Sequence, residues 1–243
     1  MSLLNALLNN VVSQAVAASL TALAAVLIAY FRSEASVAIK WLFDPLVRLF
    51  PWHDAAQGHY AGRRHGALWS ELTVADVFLL TTDGKTAIYR KTTDFIVDNE
   101  PLSFYFEGVT AQGHVAHFST ELGSIVQTEE EHGFSISKIE FSSTLEVGSR
   151  FRNVFQAELT DTFTATQEHW TQEIAFPTKR IILRIHFPIA RPPNFVRCTQ
   201  LLGLTAATLT TGAEIVKLFG QPSIVWEVDQ PALGDIYKLE WRW

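Results

Sequence analysis

Two hydrophobic rhythms divide this chain. From Met1 to Phe31 no side chain is charged, and Ala15 to Phe31 is almost wholly apolar. At about 1.5 Å rise per residue, some 20 helical residues cross a hydrocarbon core of roughly 30 Å. Extending the run back through Val11 and Val12 supplies that length, so the pattern predicts a transmembrane helix within residues 1–33. The next segment, "SVAIKWLFDPLVRLFPW", places Val37, Trp41 and Leu42 on one face and Lys40, Asp44 and Arg48 on another. That moment predicts a short amphipathic helix lying on an interface, kinked at Pro45 and ended by Pro51. A second membrane span is the competing reading, and its three charges make it costly.

Beyond residue 66 the period changes from helical to alternating. "VFLLTTDGKTAIYRK" carries Asp83-Gly84 between two strand-like runs, a strong hairpin signal. "LSFYFEGVTAQGHVAHFST" repeats the form around "TAQG", and "SIVQTEEEHGFSISKIEF" around an acidic tip. "RIILRIHFP" and "SIVWEVD" read as further strands. In "GDIYKLEWRW" Tyr237, Leu239, Trp241 and Trp243 alternate with Lys238, Glu240 and Arg242, which fixes the register tightly. Only "FVRCTQLLGLTAATLTTGAEIVKLF" is ambiguous: its Thr content favours strand, while Ala213 to Phe219 suits a short helix. The expected fold is mainly β, an antiparallel sandwich or barrel over residues 67–243, behind an anchor (1–33) and a juxtamembrane segment (34–66).

Composition sharpens this picture. Seven Trp and 17 Phe suit a sheet-built interior, and the net charge of −6 argues against a protein that coats duplex nucleic acid. Cys198 is the only cysteine, so no disulfide forms within the chain, which favours a reducing compartment. A cleaved signal peptide needs a positive n-region, but "MSLLNALLNN" has none. The cations follow the apolar run instead: Arg32, Lys40, Arg48, Arg63 and Arg64. The positive-inside tendency then makes this a single-pass membrane protein with its body in the cytoplasm. Tyr30, Phe31 and Trp41 are aromatic anchors at the lipid interface, with Arg32, Arg63 and Arg64 meeting headgroups. A soluble oligomerising helix is the alternative. Small residues at four-residue spacing (Ala15 with Ser19; Ala17, Thr21 and Ala25) permit close helix approach, hence homo-oligomerisation.

Candidate chemistry is sparse. No Gly-rich phosphate loop, G-x-S-x-G elbow, HExxH helix or paired-cysteine metal site occurs, so no catalytic residue, metal or cofactor is assigned. His53, His59 and His65 are evenly spaced and, with Asp54, form a metal-ligand pattern; a headgroup-facing loop explains them more simply. His114 and His117, three apart on a strand, make a poor chelate. Glu129, Glu130 and Glu131 read as a solvated tip. The cluster Arg150, Arg152, Lys179, Arg180, Arg184 and Arg191, interleaved with aromatics, is the candidate ligand-binding set for a phosphate or nucleotide. Its plain alternative is a wet sheet face paired to Glu158, Asp161, Glu168 and Glu173.

The stretches "RFRNVF", "PTKRIILRIHFPIARPP" and "VWEVDQPALGDIYKLEWRW", within Ser149 to Trp243, resemble an uncharacterised β-rich region that ends some bacterial regulatory and signalling proteins. That resemblance implies a sensing or assembly module and supplies no site residues. By layout, the chain is similar to the membrane-anchored β-barrel effectors of bacterial anti-phage nucleotide signalling. In that family the β domain binds a cyclic dinucleotide and the anchors then oligomerise and disrupt the membrane. The expected function is therefore a membrane-anchored, non-enzymatic sensor or effector that binds a small molecule or partner. A membrane-tethered adaptor is the alternative, and an unrecognised hydrolase a third.

Overall fold

The structure, a computed structural model, describes residues 67–131, 134–202, 205–209 and 212–243, all within one compact unit, Ala55–Trp243. The expected anchor, the amphipathic helix and the lipid contacts at Tyr30, Phe31, Arg32, Trp41, Arg63 and Arg64 lie outside the described residues. Among the described residues no helix is long and apolar enough to cross a membrane.

Fourteen strands are described, in chain order: β1 (Leu68–Leu79), β2 (Thr86–Val97), β3 (Leu102–Thr110), β4 (His114–Thr120), β5 (Ser124–Glu131), β6 (Phe134–Leu145), β7 (Arg150–Thr160), β8 (Gln167–Glu173), β9 (Arg180–His186), β10 (Phe195–Leu202), β11 (Thr205–Leu209), β12 (Ala213–Leu218), β13 (Gln221–Asp229) and β14 (Ile236–Arg242). They form a seven-stranded sheet, β12-β13-β9-β1-β2-β7-β4, a four-stranded sheet, β11-β10-β14-β8, and a three-stranded sheet, β3-β6-β5. The body is thus mainly β and sandwich-like. It is not wholly antiparallel: β1 and β9 run parallel, from Thr73↔Ile181 to Phe78↔His186. A parallel pair needs a long return, and here the chain builds seven further strands before coming back beside β1 as β9.

Local chemistry explains the connections. In the β1–β2 hairpin Thr81 Oγ1 and the Lys85 N–H both donate to Asp83 Oδ1, at 2.7 and 3.1 Å. Gly84 follows with φ +74°, and a Cβ there would lie 1.6 Å from the Phe163 carbonyl oxygen, so only glycine fits. The expected hairpin around "TAQG" does not form, because β3 pairs with β6 and β4 with β7. Gly113 shows why: its Cα sits so close to β7 that a Cβ would be 2.0 Å from the Thr160 oxygen. The chain therefore crosses to the large sheet instead of folding back. Within the ambiguous stretch the structure describes three strands, Phe195–Leu202, Thr205–Leu209 and Ala213–Leu218, and the last, the candidate helix, pairs along β13.

One face of the large sheet carries Val77, Tyr89, Phe95, Phe155, Leu183, Ile185 and Trp226, all buried. The four-stranded sheet covers part of it through Trp170, Tyr237 and Trp241. The three-stranded sheet covers the rest through Tyr105, whose ring meets Phe95 at 5.4 Å. Within that second contact Lys91 of β2 donates to Glu107 of β3 at 2.7 Å, both side chains buried. Glu107 also accepts the Gly108 N–H at 3.2 Å, and Asn153 of β7 donates to the Tyr105 hydroxyl. Burial, reinforced by the Glu107 charge, pushes the Tyr89 and Tyr105 hydroxyls well above 10.

Removing one member of a buried ion pair strands the other. Lys91→Met alone, or Glu107→Leu alone, is expected to lose about 3–5 kcal/mol, and the double variant to regain most of it. Urea denaturation of the four proteins measures this; single variants within about 1 kcal/mol of wild type would refute the role assigned to the pair.

Candidate functional site

The opposite face of the large sheet holds a chain of polar groups that its strands place side by side. Ser223 of β13 is directly across from His186 of β9, and Asp76 of β1 is one row away, across from Arg184. Ser223 Oγ lies 3.0 Å from His186 Nδ1, and His186 Nε2 lies 2.9 Å from Asp76 Oδ1. Arg184 donates to both carboxylate oxygens of Asp76, at 2.6 and 2.8 Å. Phe78 stacks on the imidazole at 4.4 Å, 8° from parallel.

Burial would raise the Asp76 carboxyl, but hydrogen bonds from His186 and Arg184, together with their charges, outweigh it and hold the group below its ordinary 3.8. An ionised Asp76 only accepts, so His186 Nε2 carries a proton, and Ser223 Oγ lies within reach of both His186 Nδ1 and the Gln221 carbonyl oxygen, to which its hydroxyl donates at 3.3 Å. Serine, histidine and aspartate in this order are the parts of a nucleophile, its base and the base's orienting group. Access separates the two situations. Ser223 is 0% exposed, His186 2% and Asp76 4%. A substrate carbonyl needs to come within about 3 Å of the hydroxyl, and Ser223 offers it no solvent-facing surface.

The sequence-predicted cation set is scattered over the molecule. Arg150 meets Glu71 at 2.7 Å, and Arg152 meets both oxygens of Asp94, at 2.6 and 2.9 Å. Arg180 pairs with Glu227 and lies 3.6 Å from Asp229. Arg184 belongs to the Ser–His–Asp array. Arg191 lies in the β9–β10 loop, stacked on Trp243 at 3.7 Å and donating to the Thr82 carbonyl at 2.5 Å. Lys179 bonds through its backbone N–H to Ser70. The acids that pair these cations are Glu71, Asp76, Asp94, Glu227 and Asp229, where Glu158 and Asp161 are among those expected; Glu168 stands near Arg191 but accepts from the Ala165 N–H. Arg152 and Arg180 sit on β7 and β9, three strand spacings or about 15 Å apart. One phosphate does not bridge that distance.

A cleft where the three sheets meet is lined by Tyr89, Thr110, Phe134, Trp170, Gln172 and Glu173, with a volume of about 30 Å³. The Tyr89 hydroxyl donates to Gln172 Oε1 across it at 3.1 Å. That volume suits about two waters. His114 and His117 are both exposed on the bulged strand β4, and among the described residues no three His, Cys, Asp or Glu side chains converge as a metal site.

Sequence reasoning missed the array because its members lie more than 100 and about 40 residues apart; 110 residues separate Asp76 from His186, and 37 separate His186 from Ser223. A signal was present: Asp76 interrupts the apolar run "VADVFLL", and Arg184 and His186 share one face of "RIILRIHFP".

No family model matches the chain, and no curated protein matches it. Among solved structures it is similar to an M1 zinc metallopeptidase from Deinococcus radiodurans, with 8% identity and a TM-score of 0.43 over 73% of this chain and 43% of that one. It is also similar to a proposed nutrient binding protein from Legionella pneumophila, with 8% identity and a TM-score of 0.45 over 73% and 68%. A proposed protease from Parabacteroides distasonis gives 10% identity and 0.43 over 73% and 40%. The chain thus spans less than half the length of the metallopeptidase.

The lowered Asp76 carboxyl has a definite sign. Its contribution to stability is complete above the unfolded-state value and is lost as pH falls through the lower folded value. Wild-type stability is therefore expected to fall below about pH 5 more steeply than that of Asp76→Asn, which is weaker at neutral pH. Denaturant titrations from pH 7 to acid check this; parallel curves would contradict it.

Proposed function

We propose that this chain is a membrane-anchored, non-enzymatic sensor or effector module. The uncharged run Met1–Phe31 holds it in the bilayer, and the β body on the cytoplasmic side binds a ligand or partner and alters packing of the anchor helices. The observation that supports recognition by the body is its row of exposed arginine–acid pairs: Arg150–Glu71, Arg152–Asp94 and Arg180 with Glu227 and Asp229. Exposed pairs of this kind add little to stability, because solvent screens them. Their partners exchange readily for the charges of an incoming molecule, and each guanidinium offers forked donors.

The width of the row favours a second reading, a membrane-tethered adaptor. Cations spread across four strands match a protein surface with repeated charges better than they match one phosphate, and the small cleft leaves little room to enclose a nucleotide. In either reading, a buried serine array serves as a cross-strand brace.

Carbonate extraction of membranes from expressing cells, with protease treatment of the same fractions, tests the anchor. The chain is expected in the pellet with its body on the cytoplasmic side; release into the supernatant would overturn the membrane reading. In the same cells, Arg150→Glu with Arg152→Glu and Arg180→Glu is expected to abolish cross-linking to a bound partner, or any ligand-dependent change in oligomer size. Thermal stability should shift by no more than a few degrees. Unchanged binding in that variant would remove the arginine row from the mechanism.

A further inference from the structure

Three neighbouring connections meet at the end of the large sheet farthest from Arg150, Arg152 and Arg180. The parallel partners β1 and β9 finish level with one another, Phe78 across from His186, and β13 begins there, Ser223 across from His186. The β1–β2 turn, the β9–β10 loop and the β12–β13 turn therefore project from adjacent strands, within roughly 15 Å. Arg191 ties the first two together through the Thr82 carbonyl, and the Phe187 N–H joins the β9 end to Pro222 at 2.9 Å.

Each connection carries one protruding apolar side chain, with a cation in it or, for Lys217, in the strand that leads into it; Lys85 of the first also lies 3.9 Å from Asp83. Leu80 (53% exposed) has Lys85, Ile189 (72%) has Arg191, and Phe219 (90%) has Lys217. Phe219 is the most telling. With Gly220 it forms the two-residue turn between Leu218 and Gln221, at φ 52° and 81°. Asn or Gly suits the first of these positions; a bulky aromatic there is strained. The ring gains no packing in return, being almost wholly in water. A side chain that is unfavourable both in backbone and in solvation marks a place selected for contact with something else.

We infer that this end of the sheet is a lipid-contact surface, in which Leu80, Ile189 and Phe219 enter the boundary between headgroups and acyl chains. Lys85, Arg191 and Lys217 lie at the level of the phosphates. Separate apolar tips on a projecting end suit a fluid bilayer, which closes around each one, whereas a protein hot spot needs a fitted pocket and a sealing rim. Trp243, beneath the Arg191 guanidinium, adds an amphipathic ring of the kind that settles at the water boundary. The inference rests on the membrane reading to the extent that the chain resides at a bilayer.

The test uses the full chain reconstituted in phosphatidylcholine vesicles containing phosphatidylglycerol. Single nitroxides are placed at Leu80→Cys, Ile189→Cys and Phe219→Cys, with Val147→Cys in the β6–β7 turn as control. Cys198 is buried and burial pushes its thiol up to about 11, so labelling is selective. At the three tips collisions with oxygen are expected to exceed those with a water-soluble nickel complex severalfold, and at position 147 the order reverses. Phe219→Asn is expected to keep or raise the melting temperature while reducing the oxygen signal at position 189. Tips as open to nickel as position 147, in protein that floats with the vesicles, would overturn the lipid contact and leave the anchor standing. Tips shielded from both reagents would mean a protein contact and equally overturn it. Protein that fails to float would remove the anchor reading and this inference together.

Discussion

A lysine ammonium and a glutamate carboxylate 2.7 Å apart, both shut away from water, join the seven-stranded sheet to the three-stranded one. Two charges in such a place are tolerable only together, so β2 and β3 have one workable register against each other. The neighbouring contacts follow from that alignment. Asn153 reaches the Tyr105 hydroxyl through its side-chain Nδ2, and its side-chain Oδ1 accepts from the Thr120 hydroxyl and the Leu122 N–H at 2.9 Å each. Phe95 and Phe176 then pack edge-on around Tyr105. Apolar packing supplies most of the energy of the core, while the ion pair decides which packing is reached.

The other face of the large sheet uses the same device. Asp76 and His186 stitch β1 to β9 across a parallel junction, where ladder hydrogen bonds are slanted and slightly weaker, and Ser223 extends the array to β13. Arg184 neutralises the carboxylate and Phe78 covers the imidazole, so the array reads as a brace built from groups that elsewhere perform catalysis. A sheet held rigid from both faces is a good platform for presenting an arginine row at one end and apolar loop tips at the other. That is how the proposed binding role grows out of the fold.

Much of this frame is legible in the sequence, for physical reasons that differ by element. The last strand is plain because Tyr237, Leu239 and Trp241 alternate strictly and are all buried. The first hairpin is plain because Asp83 and Gly84 do local work that no distant contact overrides. The turn at "TAQG" misleads because Gly113 is required by approach to β7, a tertiary contact that local sequence does not reveal. The partners of the arginines were misassigned for a related reason: cross-strand neighbours are set by sheet order, and β2, β1 and β9 meet β7 and β13 only after long returns. The Ser–His–Asp array is invisible to motif reading because it is assembled across three strands and not along one.

Ser223, shut away from solvent beside His186, serves as a cross-strand brace. A fluorophosphonate probe on the folded full-length protein, with Ser223→Ala beside it, tests this most directly. The expected result is no adduct on Ser223 under native conditions and identical spectra for the two proteins. A native-state adduct that maps to Ser223 and disappears in the alanine variant would show an open, activated serine and contradict the account.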